Sequence, residues 1–131
     1  MRLLVIEDDL PVAETLRDFL LEQGHEVFLA TDGVEGLRAL TEVGPDAVFL
    51  DVVLPKLSGL ALLERLKYLG RSFPVVVMSG RASEEEARAC LRLGALDYLP
   101  KPFTLERVEL VLEILEIARF QGQPQSPSLS S

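Results

Sequence analysis

Residues 45–59 read PDAVFLDVVLPKLSG, and the apolar run inside this stretch stops at Asp51. Ala47, Val48, Phe49 and Leu50 carry no polar interruption and include β-branched and aromatic types, the pattern of a strand buried on both faces. A carboxylate placed directly after such a strand sits on rigid backbone and faces the carboxyl edge of the sheet, where open α/β sheets bind ligands. Taken alone, Asp51 could equally cap a turn, since Pro55 and Gly59 are loop residues. A second run, Leu3, Leu4, Val5 and Ile6, also ends in acids: Glu7, Asp8 and Asp9. If the two strands are parallel neighbours, Asp51 meets Glu7 and Asp8 at one end of the sheet. At an effective dielectric of ~20, two bare carboxylates ~4 Å apart repel by roughly 4 kcal/mol, so the cluster calls for a cation. Oxygen-only ligands point to Mg²⁺.

Outward from these two strands the chain alternates regularly. Arg2 to Ile6 is a strand, and Pro11 opens a helix to Gln23 in which Val12, Leu16, Phe19 and Leu20 recur at helical spacing. Asp9 suits the N-cap of that helix better than a metal site. His25 to Ala30 reads as a second strand, with His25, the only histidine, as a turn residue. Asp32-Gly33 leads into a helix with Val34, Leu37, Leu40 and Val43 on one face, and Gly44-Pro45 stops it. After the Asp51 loop, Ser58 caps a third helix to about Leu69, with Leu62, Leu63, Leu66 and Leu69 inward. Phe73 to Met78 is a fourth strand ending in Ser79-Gly80. Ser83-Glu84-Glu85-Glu86 has the spacing of a capping box ahead of a helix that closes at Gly94. Ala95 to Pro100 is a short strand for a sheet edge, since Pro100 donates no ladder hydrogen bond. A last helix runs from Thr104 to about Phe120.

Five strand-helix repeats joined by short connections mean a parallel sheet with helices on both faces, an α/β doubly wound domain over residues 1–120. Residues 121–131, QGQPQSPSLSS, lose the apolar period and are expected to form a flexible tail or the start of an interdomain linker. With 131 residues there is room for one domain. Thirteen Lys and Arg against 21 Asp and Glu give a formal charge of −8, which excludes a nucleic-acid footprint on this chain. Cys90 is alone, which rules out an internal disulfide and suits a reducing cytoplasm. No leader and no apolar run near 18 residues is present, so no membrane contact is expected.

Strands one, three, four and five deliver Glu7 and Asp8, Asp51, Ser79 and Lys101 to one edge. Carboxylates, a metal, a hydroxyl and an ammonium make a phosphoryl-transfer set in which positioning and charge stabilisation supply the catalysis. Asp51 is the nucleophile of that set, forming an acyl phosphate. Lys101 adds a point charge, and Ser79 can hydrogen-bond a phosphoryl oxygen once Asp51 is modified.

With these motifs in view, residues 1–120 resemble the receiver domain of bacterial two-component response regulators. The resemblance rests on VIEDD (Val5 to Asp9), LDVVLPKLSG (Leu50 to Gly59), VVMSG (Val76 to Gly80) and YLPKPF (Tyr98 to Phe103). It implies a flavodoxin-like sheet of strand order 2-1-3-4-5 with five helices, an order that the general rule for doubly wound folds illustrates with a member of this very family. It implies phosphorylation of Asp51 by a sensor histidine kinase, a phosphotransfer protein or a small phosphodonor. Metal ligands would be Glu7, Asp8, Asp51 and the main-chain carbonyl of Val53. Ser79 would be the switch hydroxyl, Tyr98 the aromatic that rotates with it, and Lys101 the phosphate contact, with Lys101-Pro102 a candidate cis peptide. Gly80 stands where the family commonly has alanine, which should loosen its loop.

Leu105, Val108, Val111, Leu112, Leu115 and Ala118 form the expected inward face of the last helix, while Leu110, Ile114 and Ile117 make a second apolar stripe. That stripe either packs on the fourth helix or serves a homodimer or partner contact. Three readings compete with the phosphoacceptor. A receiver-like interaction module without phosphate chemistry would not need the complete acidic, Ser and Lys set. A phosphatase with an aspartyl nucleophile would need a second acid where Val53 stands. A flavin carrier would need a phosphate-cradling loop where Glu7-Asp8-Asp9 repels phosphate.

Overall fold

The fold is seen in a computed structural model that describes residues 1–122. Five parallel strands, β1 (Arg2–Ile6), β2 (Glu26–Ala30), β3 (Ala47–Asp51), β4 (Val75–Ser79) and β5 (Asp97–Pro100), lie in the order β2-β1-β3-β4-β5. Helices α1 (Leu10–Glu22), α2 (Gly33–Val43), α3 (Gly59–Tyr68), α4 (Glu84–Arg92) and α5 (Leu105–Gly122) connect and cover them. This is the flavodoxin-like arrangement expected from the sequence. The order places β1 beside β3, with Ile6 in register with Leu50, so the residues that follow each strand emerge side by side.

Strands β1, β3 and β4 are buried along nearly their whole length, which is why their sequences run apolar without alternation. On one face Leu3, Val5, Phe49, Val76 and Met78 pack against Leu16 and Leu20 of α1 and Val108, Val111 and Leu115 of α5. On the other, Leu4, Ile6, Leu50 and Val77 pack against Leu40 of α2, Leu62 and Leu66 of α3 and Cys90 of α4. Asp9, Asp32 and Ser58 cap α1, α2 and α3, each accepting from the N–H three residues on. The β5 edge position of Pro100 holds, and Lys101-Pro102 is cis.

Several local expectations give way. Val34 points outward because α2 turns Gly36 and Leu40 to the sheet, where Gly36 abuts the Ile6 side chain, while Gly33 lies against the Leu57 main chain of the loop after β3. Leu69, expected inward, is the C-cap residue of α3 and half exposed, and Leu105 is exposed at the start of α5. The capping box fails at α4. Ser83 ends a 3-10 turn, Arg81–Ser83, and its side chain makes no cap bond. On α5, Leu110, Ile114 and Ile117 are exposed, so α4 does not cover the second stripe. Helix α5 runs on to Gly122, past the expected boundary at 120, and residues 123–131 of the expected tail lie outside the described residues.

Candidate functional site

Glu7, Asp8 and Asp51 converge at the carboxyl edge between β1 and β3, with one oxygen of each within 4.8 Å of the others. Glu7 is fully buried and Asp51 nearly so, whereas Asp8 opens to solvent. Burial here follows from the fold: Glu7 directly follows the buried β1, and its N–H donates to the Ala30 carbonyl of β2. Asp51 closes β3, and its main chain is wedged against the start of α3. A Cβ on Gly59 would come within 2.5 Å of the Asp51 carbonyl oxygen and 2.8 Å of the Val52 Cα. Only glycine permits that approach.

Both oxygens of Asp51 accept hydrogen bonds. The Val53 N–H donates to Oδ1 at 3.0 Å, and the Lys101 Nζ donates to Oδ2 at 2.8 Å. Lys101 reaches in from the turn after β5, where its N–H donates to the Ser79 carbonyl at 2.9 Å. Its ammonium also donates to the Glu7 Oε1, so one cation bridges two buried carboxyls. The loop carrying Val53 is tied to α2 by the Gly33 N–H, which donates to the Pro55 carbonyl, and by an ion pair of Lys56 with Asp32. Lys56 takes a left-handed backbone, φ 68°, to turn that loop.

Electrostatics at the site are set first by burial and then by the crowding of acids. Burial pushes the Glu7 carboxyl up to about 8, its hydrogen bond with Asp51 adds to the rise, and Lys101 opposes it. A proton on Glu7 then lowers the acidic charge that one ammonium has to balance. Burial works against the Lys101 ammonium, but Asp51 and Glu7 outweigh it and hold its pKa above the ordinary lysine value. Three carboxyls with hard oxygen donors facing one ammonium fit a divalent cation such as Mg²⁺.

Ser79 closes β4, in register with Pro100, and is fully buried. Its Oγ lies 2.7 Å from the Ser83 Oγ and donates toward the Gly80 carbonyl at 2.9 Å. Tyr98 is half-buried on β5, opposite Val77 and against the core layer beneath α3 and α4, and its carbonyl accepts from Arg107. The structure therefore brings Glu7, Asp8, Asp51 and Lys101 into one cluster, sets the Val53 N–H on Asp51, and engages Ser79 with Ser83. Sequence reasoning missed Ser83 as a partner of Ser79, because Ser-x-x-Glu is a complete helix-start signal by itself.

Comparison with known proteins gives one consistent result. A family model described as the response regulator receiver domain matches residues 3–113. Response regulator MprA of Mycobacterium sp. (strain KMS) is 43% identical over 133 residues, covering 99% of this chain and 57% of the relative. Response regulator MprA of Mycobacterium leprae (strain TN) is 44% identical over 119 residues, covering 91% and 51%. The chain thus spans about half the length of the curated relatives it matches. Among solved structures, the receiver domain of NtrX from Brucella abortus aligns with a TM-score of 0.80 at 38% identity, over 87% of this chain and 98% of that one. The receiver domain of the Francisella response regulator 1452 aligns at 0.79 and 31%, over 87% and 94%.

Proposed function

The chain belongs to the response regulator receiver domain family of two-component systems, and from that premise we propose that Asp51 is its phosphoacceptor. An Asp51 carboxylate oxygen attacks phosphorus, an O–P bond forms, and the N–P bond of a phosphohistidine breaks with its electron pair left on nitrogen. A sensor histidine kinase, a phosphotransfer protein or a small phosphodonor supplies the group. The observation that carries this reading is the fixed environment of Asp51, with Val53 N–H on one oxygen, Lys101 on the other, and Glu7 and Asp8 alongside.

Such a site contributes by holding the nucleophile still and by meeting charge as it develops. Lys101, already within bonding distance of Asp51, follows the phosphoryl group and balances its added charge. Glu7, Asp8, Asp51 and the Val53 carbonyl would hold Mg²⁺, which when bound screens the phosphoryl oxygens from the acidic cluster. Ser79 donates to a phosphoryl oxygen after transfer, and Tyr98 follows it inward, altering the surface of α4, β5 and α5. That surface addresses an output domain or partner in the cytoplasm, and the exposed stripe of Leu110, Ile114 and Ile117 on α5 offers a homodimer or partner contact. Borohydride reduction after treatment with a phosphodonor and Mg²⁺ tests the assignment, because it converts an aspartyl phosphate to homoserine. Homoserine at position 51 supports the proposal, and its appearance elsewhere, or nowhere, defeats it.

A further inference from the structure

Four helices begin in the described fold with a serine or aspartate at the N-cap, and one of them is treated differently. Asp9, Asp32 and Ser58 hold extended backbone, with ψ of 102°, 169° and 161°, and each side chain accepts from the N–H three residues on. Ser83 has ψ of 22° and caps nothing, although Glu86 completes the capping-box spacing. Its hydroxyl is spent elsewhere, 2.7 Å from the Ser79 Oγ and 3.3 Å from the Gly80 carbonyl. Its N–H closes the 3-10 turn on that same carbonyl at 3.1 Å. Two hydroxyl protons serve these short contacts, and both residues are buried. With the Ser79 proton on the Gly80 carbonyl, Ser83 donates to the Ser79 Oγ, and a Ser79 hydroxyl that turns to a phosphoryl oxygen leaves both partners behind.

We propose that Ser83 is the positioning residue of this switch: it holds the Ser79 hydroxyl in the unmodified protein and, once Ser79 turns to the phosphoryl group, swings to the N-cap of α4. The inference rests on Asp51 being the phosphoacceptor and names the element that first feels its modification. The swing takes Ser83 from ψ near zero to the extended region, which opens the 3-10 turn and moves the exposed Arg81 and Ala82. Nothing packs against Gly80 on its Cβ side, where no atom lies within 4 Å. The Glu86 N–H, three residues on, gains a side-chain acceptor. Ser79 thereby exchanges a hydroxyl partner for a phosphoryl oxygen, and Ser83 exchanges a hydroxyl partner for a helix end.

Hydrogen exchange at the Glu86 amide tests this in the whole chain, free and bound to beryllofluoride with Mg²⁺, with bound fluoride followed by ¹⁹F resonance. Exchange at Glu86 should slow by about fivefold on binding, the usual worth of one N-cap. The slowing should vanish in Ser83→Ala and return in Ser83→Thr, which keeps an oxygen acceptor. Ser79→Ala, measured without any phosphoryl analogue, should release Ser83 and slow Glu86 exchange by itself. Bound fluoride with unchanged Glu86 exchange, or equal slowing in Ser83→Ala, overturns the role of Ser83 and leaves the phosphoacceptor standing. Absence of bound fluoride in the parent protein overturns both.

Discussion

Gly59→Ala is the substitution that most sharply separates packing from chemistry at this site. Gly59 is the first residue of α3, where alanine normally favours the helix by up to about 1 kcal/mol. Against that, its Cβ would lie 2.5 Å from the Asp51 carbonyl oxygen and 2.8 Å from the Val52 Cα. Both are backbone atoms, so no side chain can rotate away. Ordinary contact begins near 3.4 Å, and the strand end and helix must part by roughly 0.9 Å. Overpacking of this kind costs about 1–3 kcal/mol, which outweighs the helix preference. A shift near 1 Å at a nucleophile can also cost on the order of 10²-fold in rate. The expected result in urea unfolding is a net loss of about 1–2 kcal/mol, and in a phosphodonor time course a rate reduced by at least tenfold. Parent-like unfolding together with a parent-like rate would refute the reasoning that Asp51 is positioned by contact with the start of α3.

Gly80→Ala should do the opposite, stabilising the fold by about 0.4–1 kcal/mol in the same urea assay, because the position has negative φ and open space. A destabilised Gly80→Ala protein would mean that the loop after β4 needs glycine for a reason other than space. In metal-free buffer the raised Glu7 pKa makes the folded state bind a proton that the unfolded state has released, so stability is fully present below about 4.5 and lost as pH rises toward about 8. Thermal unfolding against pH in a chelator should show this decline and a flatter curve for Glu7→Gln. If α5 carries the contact proposed above, Ile114→Glu should abolish self-association in sedimentation while leaving the melting temperature nearly unchanged, since the side chain is exposed. An equally associated variant would remove α5 from consideration as the contact surface.

The sheet was legible because its strands are buried on both faces, so LLVI, AVFL and PVVVM stand out as uninterrupted apolar runs. Their shared edge was legible too, since each run ends in a polar residue: Glu7, Asp51 and Ser79. What the residues could not give unaided was the neighbour order, because periodicity carries no information on which strands pair; the receiver resemblance supplied 2-1-3-4-5. Helix faces were read well where large side chains decide them, as in Leu62, Leu63 and Leu66. They were misread at Val34 and Leu69, where the close approach of Gly36 to Ile6, and the end of a helix, decide instead. Ser83 shows the deeper limit. Its local sequence fully satisfies one role, and a tertiary hydrogen bond to Ser79 assigns it another. The same holds for Gly59, whose value lies in a contact with Asp51 that no local pattern announces.

The most direct test of Asp51 as phosphoacceptor is the intact mass of the protein at short times after mixing with a small phosphodonor and Mg²⁺, beside Asp51→Asn and a chelated sample. One added phosphoryl group in the parent, absent from Asp51→Asn and from the chelated protein, is the expected result. An unmodified parent at every time point, or an equal adduct on Asp51→Asn, would contradict it and leave a receiver fold that signals without phosphate on Asp51.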